Sequence, residues 1–377
     1  MFHQHAFSQS SFSSPHVLSL NDYGWDEARE GSFGRLRANG LTPGRVVRAG
    51  RGLCEVVTEA GPVRAAVLPP SDGTDRLYPS TGDWVALRPT TTADPAVSAA
   101  VVEVLERRTA VVRSNASRTS HGQVLAANVD TVAVVASLAD PVRHGRIERL
   151  LALAWESGAT PVVVLTKADR CPDAQQAAAE VAQVAPGVEV LVTSATTGEG
   201  LDAFAGLLVG TVVLFGPSGA GKSTLGNCLL GENRLATGAV RDSDGKGRHI
   251  TAWRELLPLP GGGVLVDTPG LRGVGLHEAA EGLDQTFAEI TELASACRFS
   301  DCAHVAEPGC VVLEAVAAGG LPQRRLDSYH RLQRENSYAA SRTDARLRAE
   351  RETPKKDIAR MRRAINQTAK QAGHRRA

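Results

Sequence analysis

The stretch GPSGAGKS, Gly216 to Ser223, constrains the fold more than any other feature of this sequence. It satisfies the pattern of a phosphate-binding loop, in which glycines let backbone N–H groups turn inward around phosphate oxygens. Such a loop needs a β-strand before it and a helix after it. The sequence supplies both, with the apolar run TVVLF ending at Phe215 and STLGNCLLG following. The helix N-terminus adds positive potential where the phosphates would sit. Gly216, Pro217, Ser218, Gly219, Ala220, Gly221, Lys222, Ser223 and Thr224 then form a nucleotide cradle. Lys222 reaches the β and γ phosphates, and the Ser223 hydroxyl ligates Mg2+. A glycine-rich turn with no ligand is the competing reading. The agreement of strand, loop and helix outweighs it.

The loop belongs to a larger pattern. After Asn128 the runs TVAVVASL, TPVVVLTKAD, VEVLVTSA, TVVLFGPSG and GGVLVDTPG are continuously apolar and end in polar turns. Helix-like stretches such as RIERLLALAWESG and AQQAAAEVAQVAPG lie between them. That alternation predicts a mostly parallel sheet covered by helices, in which ligands gather at the carboxyl ends of the strands. TKAD, Thr166-Lys167-Ala168-Asp169, ends one run and matches the guanine-reading motif of GTPases. The Asp169 carboxylate would accept two hydrogen bonds from guanine. Adenine lacks that donor pair and would leave a buried acceptor unpaired. Ser194 and Ala195 end another run, where a backbone N–H would meet guanine O6. DTPG ends a third, with Asp267 holding Mg2+ through water and the Gly270 N–H sensing the γ-phosphate. Between them DSDGKGRHIT reads as a mobile loop that orders around a γ-phosphate, with Thr251 as second Mg2+ ligand.

The flanks differ in kind. Residues 1–20 are rich in Ser, His and Phe without period and read as disordered. Asn21 to Gly40 reads as a short helix. Five short strands separated by Gly, Pro and Asp between about 44 and 113 fit a small β-barrel such as an OB-fold. Arg45, Arg48, Arg51 and Arg64 intersperse there. They face RNA or are solvated arginines on a structural barrel, and few aromatics are available for base stacking. From Leu276 onward the pattern is helical. It encloses Cys297-x4-Cys302-x-His304-x5-Cys310, three thiolates and an imidazole that complete a tetrahedral Zn2+ shell with no open position, hence a structural zinc. From Arg324 to the end there are sixteen Lys and Arg against six Asp and Glu, a tail suited to phosphate contact by counterion release. The remaining cysteines, Cys54, Cys171 and Cys228, are scattered and read as buried thiols. No apolar run reaches the eighteen residues of a membrane span. No charged start followed by an apolar block marks a signal peptide. The expected compartment is the cytoplasm.

The motif order is unusual. Base recognition comes first, then the Ser-Ala turn, the phosphate loop, the switch threonine and DTPG. A nucleotide senses only where loops lie in space, so a circularly permuted chain can build the same site when the original termini lie close together. The permuted order, the barrel before it and the Cys/His cluster after it resemble the ribosome small-subunit-dependent GTPase A family (RsgA, also called YjeQ). The resemblance covers about residues 40–335, with AANVD at Ala126 to Asp130 also similar. It implies a multidomain chain. Residues 1–43 are a disordered start and short helix, 44–113 an OB-fold β-barrel, and 114–275 an α/β circularly permuted P-loop GTPase. Residues 276–335 are a helical zinc-binding domain and 336–377 a basic tail.

It also implies a monomeric enzyme that binds the small ribosomal subunit and its rRNA, assists late maturation, and hydrolyses GTP to GDP with stimulation by that subunit. The residue after the switch glycine is Leu271, which cannot orient water. His249, in Gly247-x-His249-x-Thr251, matches the family's switch pattern and becomes the candidate water-orienting residue. Two other readings stand beside this one. One is a GTP-gated rRNA-binding module with incidental hydrolysis, and the other is an ATP-dependent kinase, against which TKAD argues.

Overall fold

The computed structural model describes residues 19–50, 52–67, 77–90, 94–113, 123–208, 210–236, 254–267 and 279–343. The N-terminal eighteen residues, Arg51, His249, Thr251, Gly270, Leu271 and the tail beyond 343 lie outside them.

A 3-10 turn, Leu20–Tyr23, leads into helix α1, Glu27–Ala38. Asp26 caps that helix by accepting the Arg29 N–H, which satisfies one of the donors a helix start leaves free. Next come β1 (Thr42–Ala49), β2 (Leu53–Thr58), β3 (Gly61–Val67), β4 (Trp84–Pro89) and β5 (Ala99–Val104). They close as a barrel in the order β1-β2-β3-β5-β4, with only β3 and β5 parallel. In β2 the inward positions Cys54, Val56 and Thr58 alternate with more exposed ones, as a strand with one buried face requires. Closure leaves no free edge.

The arginines of this barrel follow neither expectation as a group. Arg45 is buried, with its guanidinium 4.9 Å from the Trp84 ring centroid. Its donors go to Tyr23 O, to Gly82 O at 3.3 Å, to Asn128 O at 3.2 Å and to Thr211 Oγ1 at 2.7 Å. Burial, then the neighbouring Arg29 charge, push its pKa down to about 9, which still leaves it a cation at neutral pH. Arg48 is held in ion pairs, and Arg64 approaches Glu55 at 4.0 Å.

A two-stranded ribbon, β6 (Ala110–Arg113) with β7 (Gln123–Ala127), joins the barrel to a six-stranded sheet. The sheet and its helices run β8 (Thr131–Ser137), α2 (His144–Glu156), β9 (Thr160–Thr166), α3 (Ala174–Ala182), β10 (Glu189–Val192), α4 (Leu201–Leu207), β11 (Thr211–Phe215), α5 (Lys222–Leu230), β12 (Glu255–Pro258) and β13 (Val264–Asp267). The spatial order is β10-β9-β8-β11-β13-β12, parallel except for β12. Apolar residues cover both faces of the central strands. Ile147, Leu151 and Val181 from α2 and α3 pack on one side. Phe204, Leu225 and Leu230 from α4 and α5 pack on the other. Sheets buried on both sides read as unbroken apolar runs, which is why these strands were visible.

Helices α6 (Ala280–Thr286), α7 (Ala288–Ala294), α8 (Val311–Ala317) and α9 (Gln323–Thr343) complete the described chain. Their anchor is Arg325 of α9, which meets the wholly buried Glu148 of α2 at 2.9 Å and lies over Phe287 at 4.4 Å. Ser328 Oγ also donates to Glu148. Every acceptor of that buried carboxylate thus has a partner nearby, the condition under which an ion pair can be buried. No helix among the described residues is long and apolar enough to cross a membrane.

Candidate functional site

Successive strands of the sheet deliver their loops to one cleft of about 150 Å3. Thr166, Lys167, Asp169 and Arg170 enter it after β9. Thr193, Ala195 and Thr196 enter after β10, and Gly221, Thr224 and Leu225 come from the phosphate loop and the first turn of α5. Segments more than twenty residues apart in the sequence therefore meet at the carboxyl ends of the strands, where open α/β sheets hold ligands.

Backbone geometry explains the loop residues. Gly216 has φ +154, and a Cβ there would lie 2.3 Å from Val135 O of β8. Gly221 has φ +92 and would bring a Cβ to 3.2 Å from Thr166 Oγ1. Neither position accepts a larger side chain without a backbone shift. Lys222 Nζ donates to Gly216 O and Pro217 O, each at 2.8 Å, so the ammonium already lies across the mouth of its own loop. Ser218 and Gly219 are exposed on the loop, whereas Ala220 is buried beneath it.

The segment expected to read the base is stitched to this loop. Thr166 Oγ1 donates to Ala220 O at 2.6 Å, and Lys167 Nζ to Gly219 O at 2.7 Å. Lys167 adopts φ 61, a left-handed conformation that costs a non-glycine residue about 1 kcal/mol or more. The turn places its stem along the cleft. Ala168 is buried, and its N–H donates to Thr193 O at 3.1 Å, tying the two base-side segments together. Ser194 is fully buried, and its Oγ donates to Asp169 Oδ1 at 2.6 Å. Ser194 Oγ also accepts the N–H groups of Thr196 and Thr197. Asp169 therefore stands exposed with one oxygen oriented from behind.

On the metal side, Ser223 lies in the first turn of α5, and Asp267 ends β13 beside β11. Burial, then the charge of Glu255, push the Asp267 carboxyl up. A half-buried carboxylate facing a second acid is relieved by a cation, and a carboxylate with a hydroxyl is the kind of oxygen donor set that Mg2+ takes. The expected partners His249, Thr251 and Gly270 fall outside the described residues.

The Cys/His cluster forms as expected. Ligand atoms of Cys297, Cys302, His304 and Cys310 all lie within 4.8 Å of one another. Cys297 Sγ is 3.9 Å from Cys310 Sγ and 3.7 Å from His304 Nδ1, and His304 Nδ1 is 3.4 Å from Cys310 Sγ. Zinc–ligand bonds of about 2.3 Å to sulfur and 2.0 Å to nitrogen give tetrahedral edges of about 3.8 Å between sulfurs and about 3.5 Å between sulfur and nitrogen. The set fits zinc through Nδ1. Glu307 organises the loop by accepting the N–H groups of Ala303, Val305 and Ala306, which hold its carboxyl down at about 2.

Four features escaped sequence reasoning. Arg170 lines the cleft directly after Asp169, and Thr196 lines it after the Ser-Ala turn; adjacency to the motifs was the available signal. Ser194 acts on Asp169 through its side chain rather than only as part of a turn. Strand β12 puts Glu255 beside Asp267, and no local pattern announced it.

Comparisons with known proteins agree with this geometry. Residues 104–277 match the family model described as RsgA GTPase. A Streptomyces coelicolor protein named small ribosomal subunit biogenesis GTPase RsgA is 56% identical over 338 residues, covering 88% of this chain and 90% of its own length. An Opitutus terrae protein of the same name is 44% identical, covering 90% of this chain and 96% of itself. The crystal structure of YjeQ from Thermotoga maritima superposes with a TM-score of 0.58 at 28% identity, covering 78% of this chain and 97% of that one. YloQ, whose structure is titled a circularly permuted GTPase, gives 0.55 at 26% identity, covering 77% and 92%.

Proposed function

The chain belongs to the RsgA GTPase family and is a GTP hydrolase, and from that premise we propose that it binds the small ribosomal subunit through its rRNA and assists late maturation there. The reading rests most on one observation. The guanine-reading segments and the phosphate loop line a single cleft although the chain presents them in permuted order. The relatives named for small-subunit biogenesis support the partner and a cytoplasmic location.

In this proposal Asp169 accepts the guanine N1–H and exocyclic amine, the Ala195 N–H meets O6, and Lys167 lies along the base. Lys222 leaves its loop carbonyls for the β and γ phosphates. Ser223, Thr251 and Asp267 would hold Mg2+, which when bound neutralises charge developing on the phosphates. The Gly270 N–H senses the γ-phosphate, and His249 orients the attacking water. Cys297, Cys302, His304 and Cys310 hold one structural zinc. The protein acts as a monomer.

The test is multiple-turnover GTP hydrolysis with purified small subunits added or withheld, with ATP as competitor. We expect strong stimulation by subunits and no competition from ATP. Turnover indifferent to subunits would leave a GTP-gated binding module instead. His249→Ala should sharply reduce stimulated turnover while sparing GTP binding, and unchanged turnover would remove His249 from the mechanism.

A further inference from the structure

The barrel and the metal side of the nucleotide site share an ion-pair network that the reading above leaves unused. In the antiparallel pair of β12 with β13, Glu255 stands directly opposite Asp267. Opposed residues in such a pair project to the same face, with Cβ atoms about 5 Å apart. The same alternation puts Leu257 and Leu265 in the core beneath α5, so both carboxylates lie on the α5 side of the sheet. Glu255 is compensated from two directions. Arg48 Nη2 of β1 approaches one oxygen at 2.9 Å, and Arg234 Nη2, beyond the end of α5, approaches the other at 3.0 Å. The barrel makes a second contact here, with Thr81 Oγ1 donating to Arg254 O at 3.2 Å.

We propose that Glu255 is a positioning residue for Asp267, held by Arg48 of the barrel, so that the seating of the barrel on β12 sets the Mg2+ requirement of GTP hydrolysis. This rests on Asp267 being a carboxylate of the Mg2+ site. Glu255 serves that site in two ways. Its charge adds to the negative potential that draws a cation, and together with Glu55 and Glu232 it offsets the charges of Arg48 and Arg234 on that side. Removing only its charge leaves the positive charge of Arg48 and Arg234 less compensated beside Asp267, which opposes Mg2+ there. Removing Arg48 as well withdraws one of those charges. Removing Arg48 alone leaves Glu255 less compensated and the metal side more negative. A barrel displaced from β12 would act as that last variant does.

The experiment measures half-saturating Mg2+ for GTP hydrolysis by the full chain at saturating GTP and, independently of turnover, half-saturating Mg2+ for binding of a fluorescent non-hydrolysable GTP analogue. Across a face of this spacing, one charge should change the requirement by about three- to tenfold. Glu255→Gln is expected to raise it by that factor, with turnover retained at saturating Mg2+. Adding Arg48→Met should recover half or more of the shift on a logarithmic scale. Arg48→Met alone should lower the requirement, and Arg48→Lys should restore it, which keeps the test available if Glu255→Gln fails to fold. A Glu255→Gln protein that loses turnover with no change in Mg2+ half-saturation overturns the proposal. So does a double variant at least as impaired as the single one. Asp267→Asn separates the premise. If it leaves the Mg2+ requirement unchanged, the assignment of Asp267 fails rather than the role of Glu255.

Discussion

Ser194→Ala removes one oxygen on which the base-reading end depends, and its cost can be worked from the structure. Ser194 is fully buried and donates to Asp169 at 2.6 Å while accepting the N–H groups of Thr196 and Thr197. A hydrogen bond to a charged group contributes about 1.5–3 kcal/mol. Asp169 is exposed, so water replaces part of that interaction and the lower end applies. Thr196 and Thr197 are also exposed, so their N–H groups find water. Alanine keeps the Cβ and leaves a gap no larger than a hydroxyl, so the fold should hold. The loss falls instead on the orientation of Asp169. A loss of about 1.5 kcal/mol weakens GDP binding roughly tenfold. ADP makes no paired contact with Asp169 and should bind as weakly as before, so selectivity narrows by the same factor. The assay is displacement of a fluorescent GDP analogue by GDP and by ADP, with thermal melts as the check on folding. GDP affinity that is unchanged or improved in a fully folded variant would refute the reasoning, because Asp169 would then need no orienting partner.

Asp169→Asn should turn the preference from guanine towards xanthine nucleotides, and retained GTP selectivity in competition binding would contradict the base assignment. Arg45→Met leaves acceptors on Tyr23, Gly82, Asn128 and Thr211 without their common donor and should destabilise the chain by about 2–4 kcal/mol in urea melts; an unshifted midpoint would show that the seam does not depend on it. Metal analysis should find one zinc per chain, lost in both Cys302→Ala and Cys310→Ala. Of these, Cys310→Ala should melt lower by about 1 kcal/mol, because Cys310 Sγ also accepts the Leu313 N–H and caps α8; equal melting of the two would count against the cap.

Loops with demanding geometry were the legible part. GPSGAGKS, TKAD and the Cys/His spacing each require particular residue types over a few positions, so each leaves a local mark. The central strands were legible because burial on both faces makes their runs unbroken. Strand β12 was not, since its apolar core is only Leu256 and Leu257, with Pro258 and Pro260 following. An edge strand paired on one side tolerates such a sequence. The barrel arginines show a second reason. Arg45 and Arg48 look alike in the sequence, but their partners Thr211 and Glu255 lie 166 and 207 residues away. Without the fold, a guanidinium bound for the interior cannot be told from one bound for solvent or RNA.

Those long-range contacts also explain how the permuted order is accommodated. In an order that began with the phosphate loop, β11 would be the first strand of its domain. Here its start at Thr211 is gripped from both sides. Arg45 Nη2 reaches the Thr211 hydroxyl at 2.7 Å, and Asp130 Oδ2 accepts the Thr211 N–H at 2.6 Å. Asp130 immediately precedes β8, the parallel neighbour of β11. The two central strands therefore begin at the barrel seam and run away from it towards the nucleotide loops. A barrel attached at their carboxyl ends would cover the cleft. Attached at their amino ends it leaves the cleft open, while Arg48 still reaches the edge strand beside Asp267. The AANVD turn delivers the chain from ribbon to sheet at this seam, with Asn128 held at φ 53 and its carbonyl accepting from Arg45. The permutation places the barrel where it touches the edge strand beside Asp267 without obstructing the cleft.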